Sequence, residues 1–156
     1  MGRAIKGSAM TQHEAMVGAL LATLVSAQVV NVADGDTLNV LQGNKVLELQ
    51  LACIDAPERR RSPAGPLAQQ QLQRLLPRGS RVLLLQHGSD RYGRDLAEVY
   101  RPSSISPVNL ELVQRGWAFV HTRRDGSCDG GAYEAAEIEA RRRSIGLWGL
   151  APAPLP

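Results

Sequence analysis

Short runs of aliphatic and β-branched residues, separated by turn-forming residues, mark the chain from position 29 onward. Residues 29–32 and 37–41 flank Asp34-Gly35, and Asp-Gly between two such runs is a strong signal for a hairpin. Glycine is expected there because it readily adopts the positive φ that such turns require. A second turn at residues 42–44 leads into a strand at residues 45–54. The pattern therefore predicts a three-stranded meander.

The end of the third predicted strand carries the first candidate chemistry. Its apolar run stops at Asp55-Ala56-Pro57-Glu58. Proline cannot donate to a sheet ladder and fixes its own φ, so the chain must leave the sheet at Pro57. Asp55 and Glu58 are therefore expected at a strand exit, where side chains can converge on a ligand from a rigid base.

Two more strands and three helices follow along the chain. The first helix begins near Pro66, which suits the first turn of a helix, and ends at Pro77 and Gly79. The other predicted elements are strands at residues 81–85 and 96–100, a helix at 108–114, and a helix with Tyr133 and Ala140 that ends at the basic residues 141–143. Five short strands with three helices predict an α+β protein, mainly β, built as a five-stranded oligonucleotide-binding (OB) barrel packed with helices.

Residues 1–27 differ from the rest of the chain. Arg3 and Lys6 precede an uncharged apolar run, which then meets the small residues Val25-Ser26-Ala27. These three regions in this order are typical of a secretory signal peptide. The run is shorter than the roughly 20 apolar residues that span a bilayer.

Cleavage before Gln28 would leave one domain at residues 28–150, a proline-rich tail at 151–156 and no membrane anchor. The mature protein would then be secreted or periplasmic. His13 and Glu14 fit a signal peptide poorly, so the alternative is an N-terminal helix on a cytoplasmic domain.

Composition sets further limits. The 156 residues suffice for one core, and we expect a monomer. The net charge of +3 is a mild basic bias, compatible with a phosphate-bearing partner. The two cysteines, Cys53 and Cys128, exclude a disulfide-rich scaffold and lack zinc-site spacing, so they form one bridge at most.

Three carboxylates, those of Asp36, Asp55 and Glu58, are candidates for one site. Hard oxygen ligands at strand ends, without histidine or cysteine at metal-binding spacing, favour Ca²⁺ or Mg²⁺ over zinc. Each acid also has a plainer interpretation. Asp34 and Asp36 could be turn residues that bond their own backbone, and the other two could be ordinary loop acids after a strand.

Arg94 is the next candidate. It follows Tyr92-Gly93, so the chain is expected to turn sharply just before it. A guanidinium at this point could clamp a phosphate with two parallel hydrogen bonds. Its plainer interpretation is a surface ion pair with Asp90 or Asp95.

These motifs are more specific together than singly. Asp34-Gly35-Asp36-Thr37, residues 54–58 and Asp90-Arg91-Tyr92-Gly93-Arg94 occur in that order, and Gly146-Leu147-Trp148 closes the series. The set resembles the staphylococcal nuclease (thermonuclease) family over roughly residues 29–148. The resemblance implies an OB barrel with three helices and an exported, Ca²⁺-dependent nuclease that cleaves DNA and RNA with little sequence preference.

The implied chemistry is coherent. A metal ion polarises the phosphoryl oxygen, a carboxylate orients or deprotonates the attacking water, and an arginine takes up charge in the transition state. Water then cleaves the 5′ P–O bond. By resemblance, the residues in these roles would be Asp36, Asp55 and the carbonyl of Ala56 for Ca²⁺, Glu58 and Arg94 for catalysis, and Tyr92 and Arg91 for substrate binding.

Gln50 departs from the family pattern, which has an arginine five residues before the position of Asp55. A neutral amide cannot neutralise a dianionic transition state, and loss of one positioned donor can cost about 10²–10³ in rate. One of Arg59, Arg60 and Arg61 could substitute, although a solvated basic loop is the plainer interpretation. The alternative function is therefore a catalytically impaired nuclease-like domain that binds nucleic acid or protein. A third possibility is an unrelated OB-type adaptor.

A second departure lies before the third helix. Where a well-known member of the family stacks a nucleotide base on tyrosines, this chain has His121, Thr122, Arg123 and Arg124. Arginine can also stack on a base, so we expect binding to persist with an altered preference. His121 could equally be a half-buried structural histidine.

Overall fold

Five strands close into a barrel in the computed structural model, which describes residues 24–121 and 127–150. In chain order the strands are β1 (Leu24–Asp34), β2 (Thr37–Gln42), β3 (Lys45–Leu51), β4 (Ile54–Asp55), β5 (Arg81–Ser89), β6 (Asp95–Tyr100) and β7 (Phe119–Val120). The order around the barrel is β1-β2-β3-β6-β5. Only the β3–β6 pair of the barrel is parallel. The predicted five-stranded OB barrel is confirmed.

In the described part of the chain, three α-helices pack against the outside of the barrel. They are α1 (Gly65–Leu75), α2 (Val108–Gln114) and α3 (Gly130–Arg142), and a short 3₁₀ helix (Gly146–Gly149) follows. The first packs on β1, whereas α2 and α3 pack on each other. Asp129 caps α3 by accepting a hydrogen bond from the amide of Ala132. No helix within the described ranges is long and apolar enough to span a membrane.

Alternate residues of the strands fill the barrel interior, as the two-residue period of a strand requires. Leu38 and Val40 of β2 are fully buried, as are Val82 and Leu84 of β5. These side chains belong to one continuous core that extends to Leu112 of α2. The core therefore holds the helices and the barrel together as one unit.

The third predicted strand, residues 45–54, is broken in the structure. The strand β3 ends at Leu51, and the chain then turns through Ala52 and Cys53, whose φ is +67°. After this turn, β4 pairs with β7 in a separate two-stranded sheet, in which Asp55 lies opposite Phe119. The prediction of one continuous strand was wrong because the apolar run contains no residue that marks the turn.

Gly35 has a different role from the one predicted. Its φ lies outside the positive range, so the hairpin does not need glycine for its turn conformation. A Cβ at this position would lie 2.7 Å from the Cβ of Ala68 in α1 and 2.9 Å from the Cβ of Ala56. Glycine is required because α1 and the strand exit both pack directly onto the hairpin.

Cys53 and Cys128 form the one bridge that the sequence allows. It joins the turn after β3 to the segment that leads into α3. The two residues are 75 positions apart in the chain, and their Cα atoms are 6.5 Å apart. The bridge therefore ties α3 to the start of β4.

The strand β1 begins before the predicted cleavage point. Residues 24–28 pair with residues 81–85 of β5, and Ala27 is buried in the core. Cleavage before Gln28 would therefore remove residues 24–27 from a barrel strand. Residues 1–23 and the proline-rich tail at 151–156 lie outside the described residues, and the signal peptide stays a prediction.

Candidate active site

An open cleft of about 660 Å³ lies between the end of β3, the strand β4 and the tip of the β5–β6 hairpin. The parallel pairing of β3 with β6 places Gln50 beside Leu96, close to that hairpin tip. Residues from the sequence prediction that line the cleft are Gln50, Asp55, Arg91, Tyr92, Arg94 and His121. Tertiary structure thus brings together residues from three separate segments of the chain, at positions 50–55, 91–94 and 121.

Asp36 lies buried behind this cleft, with only 7% of its surface exposed. One carboxylate oxygen accepts a hydrogen bond from the backbone amide of Ala56 at 2.9 Å, and the other from the hydroxyl of Thr37 at 3.0 Å. The interpretation of Asp36 as a turn residue bonded to its own backbone is therefore wrong. Its carboxylate links the β1–β2 hairpin to the strand exit.

The charge on Asp36 is poorly compensated. Burial, together with the nearby negative charge of Asp55, raises the pKa of this carboxyl from 3.8 to about 6. The hydrogen bonds from Ala56, Thr37 and Gln50 oppose this rise only in part. A buried carboxylate that keeps a high pKa despite such bonds favours either a proton or a cation beside it.

Asp55 and Ala56 lie beside Asp36, and we call these three residues the acidic corner. Asp55 is half-buried and lines the cleft, whereas Ala56 is buried and does not. Carboxylate and carbonyl oxygens form the donor set that Ca²⁺ prefers. The residues present therefore fit a hard divalent cation. The carboxylates of Asp36, Asp55 and Glu58 do not all lie within 4.8 Å of one another.

Arg94 is held at the hairpin tip by Asp90. The carboxylate of Asp90 accepts hydrogen bonds from the amides of Tyr92 (2.8 Å) and Arg94 (2.9 Å) and from Nε of Arg94 (2.7 Å). Slight burial raises the pKa of Asp90, but the bonds from Arg94 and Tyr92 outweigh it, so the pKa lies below its usual value. Gly93 has a φ of +78°, which confirms the predicted sharp turn before Arg94.

The ion pair with Asp90 and a phosphate-binding role are compatible. Only one edge of the guanidinium, at Nε, bonds Asp90, and Nη1 lies 4.0 Å from Glu48. The ion pair therefore orients Arg94, which lines the cleft, without using both edges of its guanidinium. The ion pair with Asp90 that the sequence predicted is therefore present, and it also positions the arginine.

Tyr92 stands out into solvent at the mouth of the cleft, with 70% of its surface exposed. The guanidinium carbons of Arg91 and Arg94 lie 4.9 Å and 5.7 Å from the centre of its ring. An aromatic ring between two cations presents positive charge and a polar hydroxyl to an anion. This arrangement suits a phosphate-bearing ligand.

Glu58 is placed away from the lining of the cleft. Its side chain is largely exposed, and one carboxylate oxygen lies 3.1 Å from Nε of Arg61. The amide of Arg59 donates to the side chain of Asp34 at 2.8 Å, which fixes the loop that follows Glu58. A Cβ on Gly65 would lie 2.2 Å from the backbone oxygen of Glu58, so α1 begins in direct contact with this loop.

Gln50 contributes no positive charge to the cleft. Its side-chain oxygen accepts a hydrogen bond from the hydroxyl of Thr37 at 3.0 Å, and the same hydroxyl lies 3.0 Å from a carboxylate oxygen of Asp36. Since one hydroxyl carries one proton, Gln50 and Asp36 share this donor. Gln50 is thus tied to the acidic corner.

His121 lines the cleft, and its amide donates to the carbonyl of Cys53 at 2.8 Å. Residues 122–126, which include the predicted base-stacking arginines Arg123 and Arg124, lie outside the described part of the chain.

Asn109 is a supporting residue that the sequence did not reveal. It is completely buried in α2, and its side chain bonds the backbone of Val99, Ala52 and Ala97 at 2.9, 2.9 and 3.0 Å. It therefore fixes the turn that leads to β4 and Asp55. A polar residue within the apolar face of a predicted helix was the only signal for it.

Comparison with known proteins agrees with this geometry. The family model described as staphylococcal nuclease homologue matches residues 48–149. A micrococcal nuclease from Shigella flexneri is 37% identical over 128 residues, which covers 78% of this chain and 72% of the relative. An uncharacterized endonuclease from Haemophilus influenzae is 37% identical over 126 residues (79% of this chain, 66% of the relative). Another from Escherichia coli O157:H7 is 32% identical over 124 residues (80% and 77%).

The match to the family model runs from within β3 to the final 3₁₀ helix. It therefore includes Gln50, both strands that carry the hairpin of Arg94, and the sheet that holds Asp55. Since sequence match, barrel topology and the placement of the cleft agree, the chain belongs to the staphylococcal nuclease family of hydrolytic nucleases.

Proposed function

We propose that this protein is a Ca²⁺-dependent phosphodiesterase that hydrolyses DNA and RNA with low sequence specificity, and that Gln50 weakens its turnover. The observation that carries the proposal is the charge arrangement of the cleft. Acidic residues lie on one side of it, with buried Asp36 behind Asp55, and Arg94 lies on the other. A binding module would not need a carboxylate buried at such electrostatic cost.

The acidic corner supports a resident cation. Asp36, Asp55 and the carbonyl of Ala56 would hold Ca²⁺, which would offset the repulsion that raises the pKa of Asp36. When bound, the ion supplies Lewis-acid polarisation of a phosphoryl oxygen.

The side chains of the cleft would divide the remaining work. Arg94, already oriented by Asp90, would hold a phosphate and stabilise the negative charge that grows on its oxygens. Glu58 would accept a proton from the attacking water or orient it, once its loop turns the carboxylate toward the cleft. Tyr92 and Arg91 would contact a neighbouring phosphate. Contacts to phosphates, with none to base edges, would give low sequence specificity and the same treatment of DNA and RNA.

Arg61 is the best placed of the three loop arginines to compensate for Gln50. Its guanidinium already contacts Glu58, and most of its surface is exposed. A phosphate that enters the cleft would compete with Glu58 for this guanidinium, which would free the carboxylate and add a positive charge. Replacement of Arg61 by serine should then lower the cleavage rate, whereas the same change at Arg60 should not.

The test is cleavage of single-stranded DNA, double-stranded DNA and RNA by the full chain, with Ca²⁺ and with a chelator. We expect cleavage of all three with Ca²⁺ only. Glu58→Gln, which keeps the shape of the side chain, should lower the rate by about 10²–10⁴. Glu139→Gln is the matched control, because Glu139 is exposed on α3 and its carboxylate accepts hydrogen bonds from Arg142, away from the cleft.

Three outcomes would count against the proposal. Cleavage that persists in chelator would show that the reaction does not require Ca²⁺. Equal cleavage rates for Glu58→Gln and the control would show that Glu58 does not take part in catalysis. Binding of DNA without any cleavage would support the alternative, an impaired domain that only binds nucleic acid.

Export and a monomeric state belong to the same proposal. The basic residues, apolar run and small residues of positions 1–27 support a cleaved signal peptide. Mass spectrometry of the protein recovered from the producing cells and their medium would give the mature N-terminus. An intact N-terminus in the cytoplasm would refute export, and light scattering would test the monomer.

A further inference from the structure

A second group of potential metal ligands lies on the face of the barrel that α3 covers. Leu85 of β5 pairs with Glu98 of β6, and His87 lies two residues further along β5, so His87 and Glu98 face the same side. Nε2 of His87 lies 3.0 Å from one carboxylate oxygen of Glu98. Both side chains are about nine-tenths buried, at 10% and 7% exposure.

Tyr133 of α3 fixes the orientation of Glu98. Its hydroxyl donates to the second carboxylate oxygen of Glu98 at 2.6 Å. This is the kind of outer hydrogen bond that orients a carboxylate ligand in metal sites.

The disulfide lies directly against this pair. Sγ of Cys128, a ring nitrogen of His87 and a carboxylate oxygen of Glu98 all lie within 4.8 Å of one another. Within the described ranges, these are the only three such ligand atoms of histidine, cysteine, aspartate or glutamate that come so close together. Sγ of Cys53 is bonded to Sγ of Cys128 but is not part of this group, so it becomes a fourth ligand only if it moves after the bridge is reduced.

Four such ligands match a tetrahedral zinc site. Zinc binds cysteine sulfur at about 2.3 Å and histidine nitrogen at about 2.0 Å, which places neighbouring ligand atoms roughly 3.3–3.8 Å apart. The separations among Cys128, His87 and Glu98 exceed this spacing by at most about 1.5 Å, whereas Cys53 must move away from Cys128 to complete the site. In the oxidised protein both sulfurs are consumed by the disulfide, so only His87 and Glu98 remain as ligands.

We propose that reduction of the Cys53–Cys128 bridge creates a buried site for Zn²⁺ or a similar thiophilic divalent ion, with Cys53, Cys128, His87 and Glu98 as ligands. A dithiol reductant passes two electrons and two protons to the Sγ–Sγ bond, which breaks to give two thiols, and the reductant becomes a disulfide. The ion then binds as the two thiol protons leave to solvent, and it replaces the proton between His87 and Glu98. The site would hold the turn before Asp55 to α3 when the bridge cannot.

The test uses Co²⁺ as a spectroscopic probe for the zinc site. The full chain is reduced with dithiothreitol, freed of it by gel filtration without oxygen, and titrated with Co²⁺ and then Zn²⁺. We expect thiolate charge-transfer and tetrahedral d–d absorption in the reduced protein, removed by one equivalent of Zn²⁺, and neither band in the oxidised protein. The thiolate band distinguishes this site from any metal bound by Asp36 and Asp55. No nuclease assay is involved, so the result is independent of the proposed activity.

The variants distinguish metal binding by all of the proposed ligands from metal binding by the free thiols alone. His87→Ala should weaken Zn²⁺ binding by more than the roughly 10- to 100-fold that loss of an outer-shell partner costs, and Glu139→Gln, on the exposed face of α3, should leave it unchanged. Cys53→Gly, which tolerates the φ of +67°, frees Cys128 without reductant and should bind Co²⁺ through three ligands. If the reduced chain unfolds, this variant still decides the question. Absence of a thiolate band in both proteins, or equal affinity of His87→Ala and wild type, would overturn the proposal.

Discussion

Gln50 is where a single side chain has the largest expected effect on turnover. It lines the cleft together with Arg94 and brings a neutral amide that accepts a hydrogen bond from Thr37. An arginine at this position would place a second permanent positive charge near a bound phosphate. A transition state that carries two negative charges would gain more from it than the substrate does.

We therefore expect Gln50→Arg to raise kcat/KM for DNA cleavage at least tenfold, with an upper limit of about 10²–10³. Gln50→Met is the matched control, because it keeps the length of the side chain and loses the bond to Thr37 without adding charge. Single-turnover cleavage rates with saturating Ca²⁺ would give both values. A Gln50→Arg rate no higher than that of Gln50→Met would show that the missing charge does not limit turnover.

The pKa of Asp36 makes a prediction for stability. The folded pKa of about 6 exceeds the unfolded value of 3.8, so the folded state binds the proton more tightly. The stability contributed by protonated Asp36 is complete below pH 3.8 and is lost as the pH rises to about 6. Without metal, charged Asp36 should therefore cost on the order of 1–3 kcal/mol at neutral pH.

Urea unfolding of the chelator-treated wild type and of Asp36→Asn would measure this cost. Asparagine cannot ionise, so its free energy of unfolding relative to wild type should increase between pH 4 and pH 7.5 by that amount. Acids that do not interact with Asp36 titrate equally in both proteins and cancel in the difference, whereas Asp55, whose charge interacts with that of Asp36, contributes to the measured change. A difference that stays constant with pH would contradict the raised pKa.

At the residue scale, the sequence predicted candidate acids for the site but not their environments. Asp36 and Asp55 were recognisable by their position at a hairpin and a strand exit. The burial of Asp36 depends on Ala56 and Thr37 closing over it, and its raised pKa depends on that burial. The disulfide could not be predicted because its Cα separation is a property of the fold.

At the element scale, the turn between β3 and β4 depends on α2. Asn109 satisfies the amide of Val99 and the carbonyls of Ala52 and Ala97 inside the core. Without this side chain, backbone groups at the end of β3 and in β6 would lose buried partners. The position of β4, and so of Asp55, is set partly by a residue more than fifty positions away.

Replacement of Asn109 by alanine should therefore lower the free energy of unfolding by on the order of 2–4 kcal/mol. Asn39→Ala removes an exposed bond to Asn31 and should change stability by no more than about 0.5 kcal/mol. Thermal and urea unfolding of both variants would show the contrast. Similar losses in the two variants would mean that the buried network is not what stabilises this turn.

Elements were predicted well where the pattern was local and poorly where pairing was distant. The three helices follow from apolar spacing and from proline and glycine at their ends, and α2 matches its predicted residues 108–114. The strands β4 and β7 have two residues each, and each exists only because the other lies beside it. No local pattern can indicate such a pair.

At the scale of the whole molecule, the Cys53–Cys128 bridge closes the largest covalent loop. A loop of 75 residues restricts the unfolded chain strongly, and the chain-entropy estimate for it is roughly 4 kcal/mol. The bridge also holds α3 to the barrel near the candidate site. Much of the stability of the fold therefore depends on the redox state of its surroundings.

Reduction with a dithiol in the presence of a chelator should lower the free energy of unfolding by about 2–4 kcal/mol. The Cys53→Gly/Cys128→Ser double variant should start from this lower stability and show no further change with the dithiol. Thermal unfolding of both proteins under both conditions would test this. Equal melting temperatures for oxidised and reduced wild type would show that the barrel alone carries the stability.

The sequence by itself determined the barrel, the helices and the residue types of the candidate site. Those features depend on apolar residues that recur every two positions in strands and every 3.6 in helices, on turn-forming residues and on short motifs. All of these signals extend over a few positions only. Tertiary structure decided which of these residues meet. The parallel contact of β3 with β6 brought Gln50 to the hairpin of Arg94, packing of α1 imposed glycine at position 35, and the bridge joined residues 75 positions apart. Each of these three features depends on a contact between segments that are far apart in the sequence. Such a contact forms only when the whole core closes, and no single segment carries its energy.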